Sequence, residues 1–329
     1  MVSVSWGIVG CGWVARDYVV PAIREARNAH LVAACDPYRD RARDVIGEAG
    51  TSDLAAFLAT PGLDAVYVAT PNDSHCMITE AAARAGRHVL CEKPMAVRYE
   101  EAARMVEACA RAGVQYATAF DQRFQGRHEA LRDLLQAGAL GTVTMVRIHY
   151  ACWLPANWTA DNWRVDPVRA GGGAFVDLAP HGLDLARMLL GEPIVDFEVL
   201  LQRRVFDYPV DDGGAAIGRT ASGVLVVMNV AYNCPNAFPR RTLEVIGTKA
   251  RAEAIDTMGQ TPGGRLIVTD VDGAAREVIP SSDRSPFTVG IEAFSDALLR
   301  GEPFRFTPEG DLQTARLLDV AARSSARAS

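Results

Sequence analysis

The chain has 329 residues, 49% of them hydrophobic, with a formal net charge of −6 and no Lys/Arg-rich block. That is enough apolar material for a sizeable core, and the charge speaks against nucleic acid or an anionic membrane as the main partner, leaving a small molecule as the expected one. The opening "MVSVSWGIVGCGW" has no basic region ahead of an apolar one, and no later run reaches the roughly 18 apolar residues of a membrane span, so the expected location is the cytoplasm.

From residue 3 to about 119, short apolar runs ("VSWGIVG", "HLVAAC", "DAVYVAT", "HVLCE", "VQYATAF") alternate with Ala/Arg/Glu stretches of helical period. Continuous apolar runs are what strands covered on both faces require, so residues 1–119 are expected to form a doubly wound parallel sheet of Rossmann type. Beyond residue 120 the runs alternate apolar with polar and carry glycine turns, as in "GTVTMVRIHYACW" and "AAIGRTASGVLVVMNVAY". The spacing predicts an α+β domain over 120–329 built on a mostly antiparallel open sheet, interrupted by one helix near 172–190. A last helix, about 308–327, has Thr307 as N-cap, Pro308 at its first position, and the option of packing back on the first domain.

Seven cysteines, Cys11, Cys35, Cys76, Cys91, Cys109, Cys152 and Cys234, form no CxxC pair, which suits reduced, packed thiols. No His/Cys/Asp cluster has ligand spacing, so no metal is expected.

Directly after the first apolar run stands "GCGWVA". Gly10 permits the tight turn, Gly12 lets the backbone approach a pyrophosphate, and the small Ala15 lets helix pack on strand; Trp13 and Val14 complete the loop that opens the helix. The second run ends in Asp36, about 20 residues on, where an acid binds a ribose 2′-hydroxyl. A dinucleotide is therefore expected, NAD rather than NADP, although Arg39 and Arg41 could offset the repulsion of a 2′-phosphate or simply belong to an exposed helical turn.

Ligands of open α/β sheets bind beyond the carboxyl ends of the strands, which puts the "EKP" of residues 92–94 at the site by topology, with Pro94 stopping the strand and directing Lys93. In "GGGAFVDLAPHGLDLARMLLG", Phe175, Leu178, Leu185 and Leu189 recur at helical spacing and leave Asp177, His181 and Asp184 as a polar stripe. A carboxylate one turn from an imidazole can fix its tautomer and raise its basicity. Asp184 is expected only to pair with Arg187.

The stretches "GIVGCGWVA", "ATPNDSH", "HVLCEKPMA", "AFDQRF" and the glycine-led helix occur in the order seen in the Gfo/Idh/MocA oxidoreductases, and over most of its length the chain resembles that family. The resemblance implies an NAD(P)-dependent oxidoreductase acting on a secondary alcohol or ketone of a sugar, inositol or related polyol. It places Glu92 near the nicotinamide ribose and Lys93 at the reacting carbon–oxygen bond, and it implies a catalytic triad of Lys93, Asp177 and His181, which also touch substrate, with His181 taking the hydroxyl proton. The peptide before Pro94 is often cis in such proteins. Thr70, Pro71, Asn72 and His75 are expected in the cofactor cleft, with capping of the next helix as the other role for His75. Arg123 is assigned to the cofactor and can also neutralise Asp121, where the family usually carries asparagine. Trp153, Trp158 and Trp163 offer aromatic faces either to a sugar or to a domain interface.

The family also includes hydrolases or lyases that use bound NAD transiently, and a non-enzymatic dinucleotide sensor is a third class; retained acid/base residues disfavour the sensor. Relatives commonly form homodimers or homotetramers through the open sheet, and the same is expected here.

Overall fold

The computed structural model describes residues 2–154 and 162–325, so Trp158 lies outside the described residues. By internal contacts the chain divides into a unit of 1–119 with 287–315 and a unit of 120–286 with 316–329. Residues 287–315 thus return to the first unit.

The first unit carries strands β1 (Val4–Val9), β2 (Ala29–Cys35), β3 (Gly50–Thr51), β4 (Ala65–Val68), β5 (His88–Cys91) and β6 (Tyr116–Thr118), all parallel, in the order β3-β2-β1-β4-β5-β6. This is the Rossmann order, with the strand sequence reversing between β1 and β4. Helices on both faces explain why these strands read as unbroken apolar runs: Ile8, Val66, Val68, Val89 and Cys91 are all buried to 0% exposure. Truncating Ile8 to alanine costs about 2–5 kcal/mol.

The helix Pro286–Arg300 completes this core, where Phe294 stacks obliquely on Trp6 and Ser295 accepts the Trp6 indole N–H at 3.0 Å. The last helix begins at Pro308, and its Leu312 and Ala315 join the apolar core of the first unit. Beside them, the fully buried Asp311 accepts the Thr118 amide at 2.8 Å, at the carboxyl end of β6.

The second unit carries β7 (Val143–Ala151), β8 (Ile194–Gln202), β9 (Gly213–Thr220), β10 (Leu225–Ala231), β11 (Arg241–Gly247), β12 (Ala250–Ile255), β13 (Arg265–Asp270) and β14 (Ala275–Glu277) in one sheet of order β14-β13-β12-β11-β7-β10-β9-β8. Every pairing is antiparallel except β7 with β10. Strand β9 alternates buried and exposed residues along its length, the period-two pattern of a sheet with one covered face. The helix Ala174–Leu190 covers that face with Phe175, Leu178, Leu185 and Leu189, and the other face presents Arg147, His149, Asn229, Glu244 and Glu253.

The glycine run before this helix has a packing cause. A Cβ on Gly173 would fall 2.0 Å from the Asp211 carbonyl oxygen. The approach is that close because Asp211 caps the helix, its carboxylate accepting the amides of Gly173 at 2.7 Å and Phe175 at 2.8 Å. Burial nonetheless holds the Asp211 carboxyl above its usual range, outweighing those amides.

Candidate active site

In the first unit, β1 runs into a turn at Gly10, whose φ of +89° no L side chain adopts without strain and whose amide donates to Cys35 O at 2.8 Å. A Cβ on Gly10 would meet the Ala69 carbonyl at 2.5 Å, whereas one on Gly12 would meet nothing within 4 Å. The space over Gly12 is what a pyrophosphate needs at a helix N-terminus, and the buried Ala15 lets that helix settle on the sheet. The helix opens with a π-helical stretch, Ala15–Val19.

Asp36 directly follows β2 and turns back to the loop. Its Oδ2 accepts the Cys11 amide at 2.8 Å and its Oδ1 the Tyr38 amide at 2.9 Å, so an acid read from spacing is also the residue that shapes the turn. Arg39 donates to Gly50 O at 3.2 Å, and the Arg41 guanidinium lies 4.5 Å above the Tyr38 ring. Burial pushes the Cys11 thiol up to about 12 and the Cys35 thiol to about 11, so both stay protonated beside the loop.

Beyond β5, Glu92 is held on both carboxylate oxygens: Tyr67 on β4 donates its hydroxyl to Oε1 at 2.7 Å, and the Lys93 amide donates to Oε2 at 3.2 Å. The Lys93–Pro94 peptide is cis. Beyond β4, Ser74 donates to Pro71 O at 2.8 Å and its Oγ lies 2.7 Å from the Thr70 hydroxyl, which folds the Thr70–Asn72 segment into a tight turn.

His75 does not line a cleft, contrary to the expectation from sequence. It is fully buried, with Nδ1 at 3.0 Å from Pro94 O and Nε2 at 2.9 Å from Thr70 O, bracing the two loops against each other. Burial lowers its pKa against the pull of those carbonyls.

The second unit assembles its polar residues on the helix Ala174–Leu190. Asp177 Oδ2 accepts the hydroxyl of Tyr232 at 2.7 Å, and Tyr232, at 1% exposure, has its phenol pushed up by burial and by that carboxylate. His181 directs Nδ1 to Asp121 Oδ1 at 3.2 Å, and the Tyr150 ring packs edge-on against it. The carboxylate facing this imidazole is thus Asp121 from the turn Asp121–Phe124, rather than Asp177 one turn away on the same helix.

Arg123 is also placed differently from the sequence expectation. It has no exposure and grips Asp184 with both forks, Nε to Oδ2 at 2.8 Å and Nη2 to Oδ1 at 2.6 Å, while stacking on Phe120. The guanidinium is thus engaged inside the second unit, with Asp184 as its bidentate carboxylate partner. Arg187 adds a contact to Asp184 at 3.1 Å, so Asp184 is structural.

Trp153 remains 42% exposed, its ring edge-on to Phe206, which stacks on Tyr208. Trp163 is covered by the Arg164 guanidinium at 4.4 Å. Among the described residues no group of His, Cys, Asp or Glu is arranged to hold a metal, and no helix is long and apolar enough to cross a membrane.

Two family models match in tandem: residues 4–120 match the oxidoreductase family with an NAD-binding Rossmann fold, and residues 128–253 match the GFO/IDH/MocA C-terminal domain. The 1,5-anhydro-D-fructose reductase of Ensifer adhaerens is 31% identical over 299 residues, which cover 89% of this chain and 87% of that one. The chain belongs to the Gfo/Idh/MocA oxidoreductase family. Its first unit is an NAD(P)-binding Rossmann domain, and the family is one of NAD(P)-dependent sugar oxidoreductases. The inositol 2-dehydrogenase of Rhizobium meliloti is 28% identical over 98% of this chain and 97% of its own length. Among solved structures, the aldose-aldose oxidoreductase of Caulobacter crescentus, crystallised with glycerol, superposes with a TM-score of 0.89 at 25% identity over 99% of this chain and 98% of that one. The six-strand parallel sheet followed by a mostly antiparallel eight-strand sheet is the architecture expected from sequence.

Proposed function

We propose that this chain moves hydride between nicotinamide C4 and a secondary alcohol or ketone carbon of a sugar, inositol or related polyol, with NAD preferred over NADP. The observation that carries the proposal is the buried imidazole of His181 facing a carboxylate at 3.2 Å, in a member of a family of sugar oxidoreductases. A dinucleotide sensor has no use for such a pair.

The bound nicotinamide supplies the hydride acceptor or donor. The loop Gly10, Gly12, Trp13, Val14 and Ala15 takes the pyrophosphate, Asp36 takes the adenosine ribose and disfavours a 2′-phosphate, and Thr70, Pro71, Asn72 and Glu92 take the nicotinamide side. Lys93 hydrogen-bonds the substrate oxygen. His181 takes the hydroxyl proton at Nε2 during oxidation and returns it during reduction; Asp177, oriented by Tyr232, accepts a hydrogen bond from a substrate hydroxyl. The exposed face of Trp153 suits the apolar C–H face of a sugar ring. Copies of the chain associate as a homodimer or homotetramer through the open sheet face, which light scattering measures.

The test is the appearance of reduced nicotinamide absorbance with NAD or NADP and a panel of sugars, sugar acids and inositols at alkaline pH, and its loss with the ketone forms near neutrality. A signal with one polyol family supports the proposal. Silence across the panel, with NAD bound in calorimetry, overturns it in favour of transient redox in a lyase or hydrolase.

A further inference from the structure

We propose that Asp121 is the positioning residue that fixes the tautomer of His181, keeping the proton on Nδ1 and the lone pair on Nε2. The inference rests on the function proposed above and goes beyond it, because the acid partner of the imidazole comes from the turn after Phe120 and not from the helix that carries His181.

Three observations lead to it. First, Asp121 Oδ1 and His181 Nδ1 are both buried, neither makes a well-aligned hydrogen bond to any described residue, and they face each other at 3.2 Å. Buried polar atoms are rarely left unmatched, and a small rotation of either side chain that aims an Nδ1 proton at Oδ1 satisfies both at once. Second, the nearest carboxylate on the same helix is already engaged, Asp177 Oδ2 accepting the Tyr232 hydroxyl at 2.7 Å.

Third, the other oxygen of Asp121 has a neighbour that can only donate. Gln122 Nε2 lies 3.0 Å from Asp121 Oδ2 and 3.1 Å from the Gly259 carbonyl. The Gly259 contact orients the amide, because reversing Gln122 would set its oxygen against that carbonyl. Residue 121 therefore sits between a fixed donor, Gln122 Nε2, and an imidazole nitrogen. A carboxylate accepts on both sides and holds Nδ1–H. An asparagine has one acceptor and one donor: with its oxygen turned to Gln122, its NH2 faces Nδ1, which must then carry the lone pair and send the proton to Nε2, the atom needed as base. In the orientation of its neighbours position 121 is built for aspartate.

The test compares wild type with Asp121→Asn. Long-range 15N NMR of histidine-labelled protein, with the His181 signal assigned by its loss in His181→Phe, reads the tautomer without any substrate. The expected result is Nδ1–H in wild type and a shift toward Nε2–H in Asp121→Asn, at an unchanged melting temperature. Turnover is expected to fall about 100-fold in Asp121→Asn, with cofactor Kd within about twofold of wild type and substantial recovery in Asp121→Glu. The same tautomer in both proteins, or Nε2–H in wild type, overturns the inference. A wild type that shows Nδ1–H but turns over no substrate in the panel counts against the proposed function alone.

Discussion

Tyr67 and Glu92 are joined across neighbouring strands, the phenol on β4 donating at 2.7 Å to the carboxylate that immediately precedes Lys93. Tyr67 is 2% exposed, so this bond is made inside the sheet edge, and it holds Glu92 before any cofactor arrives. Removing the hydroxyl leaves a carboxylate oxygen to find another donor, and hydrogen bonds to charged groups contribute about 1.5–3 kcal/mol. Tyr67→Phe is expected to lower unfolding stability by an amount in that range in urea, with unchanged m, and to weaken NAD binding in calorimetry. An unchanged denaturation midpoint and unchanged affinity would show the contact to be idle.

Asp36 has two jobs, and its replacement separates them. Alanine there removes the acceptor of the Cys11 amide and, under the proposed function, the charge that would repel a 2′-phosphate. The expected outcome is weaker NAD binding together with a preference moved toward NADP, read from kcat/KM for the two cofactors. A preference that stays where it was would assign discrimination elsewhere in the loop.

Arg123 and Asp184 form an ion pair with no exposure on either side chain. Taking away Arg123 leaves the buried Asp184 carboxylate with Arg187 as its remaining cation, and breaking a buried pair costs up to about 3–5 kcal/mol. Arg123→Met is expected to destabilise the protein by that order in thermal or urea unfolding, and Arg123→Met with Asp184→Leu to recover most of the loss. Cofactor affinity of the folded double variant should match wild type; a large loss of affinity there would return Arg123 to the cofactor site.

How much of this was readable in the sequence differs by kind of contact. The Rossmann half is legible because strands buried on both faces are apolar throughout and because the loop from Gly10 to Ala15, with Asp36 further on, is a local pattern. The place of Lys93 follows from the end of β5, and the helical spacing brings Asp177 and His181 onto one element. What spacing along one helix cannot show is which distant side chain meets each of them. Tyr232 on Asp177, Tyr67 on Glu92 and Asp121 on His181 are joined only by tertiary folding and leave no local signal. His75 and Arg123 show the opposite limit, since residue types common in sites can equally be buried once carbonyls or a carboxylate satisfy them, and sequence does not show that burial.

His128 gives the fold a pH dependence. It is fully buried between Gln122 O at 2.9 Å and Thr257 Oγ1 at 2.8 Å, and burial lowers its pKa from 6.5 to about 4. The unfolded chain therefore binds a proton that the native state refuses, so stability is fully present above pH 6.5 and is lost as the pH falls from there toward about 4. His128→Gln is expected to flatten that acid limb in urea unfolding followed across this range. A limb of the same slope in the variant would place the linkage on other groups.

The central claim is tested most directly by Lys93→Ala with whichever polyol the wild type oxidises. The expected result is formation of reduced nicotinamide slowed by about two powers of ten or more, while NAD affinity in calorimetry stays nearly unchanged. Turnover equal to wild type would contradict the claim and remove Lys93 from the chemistry.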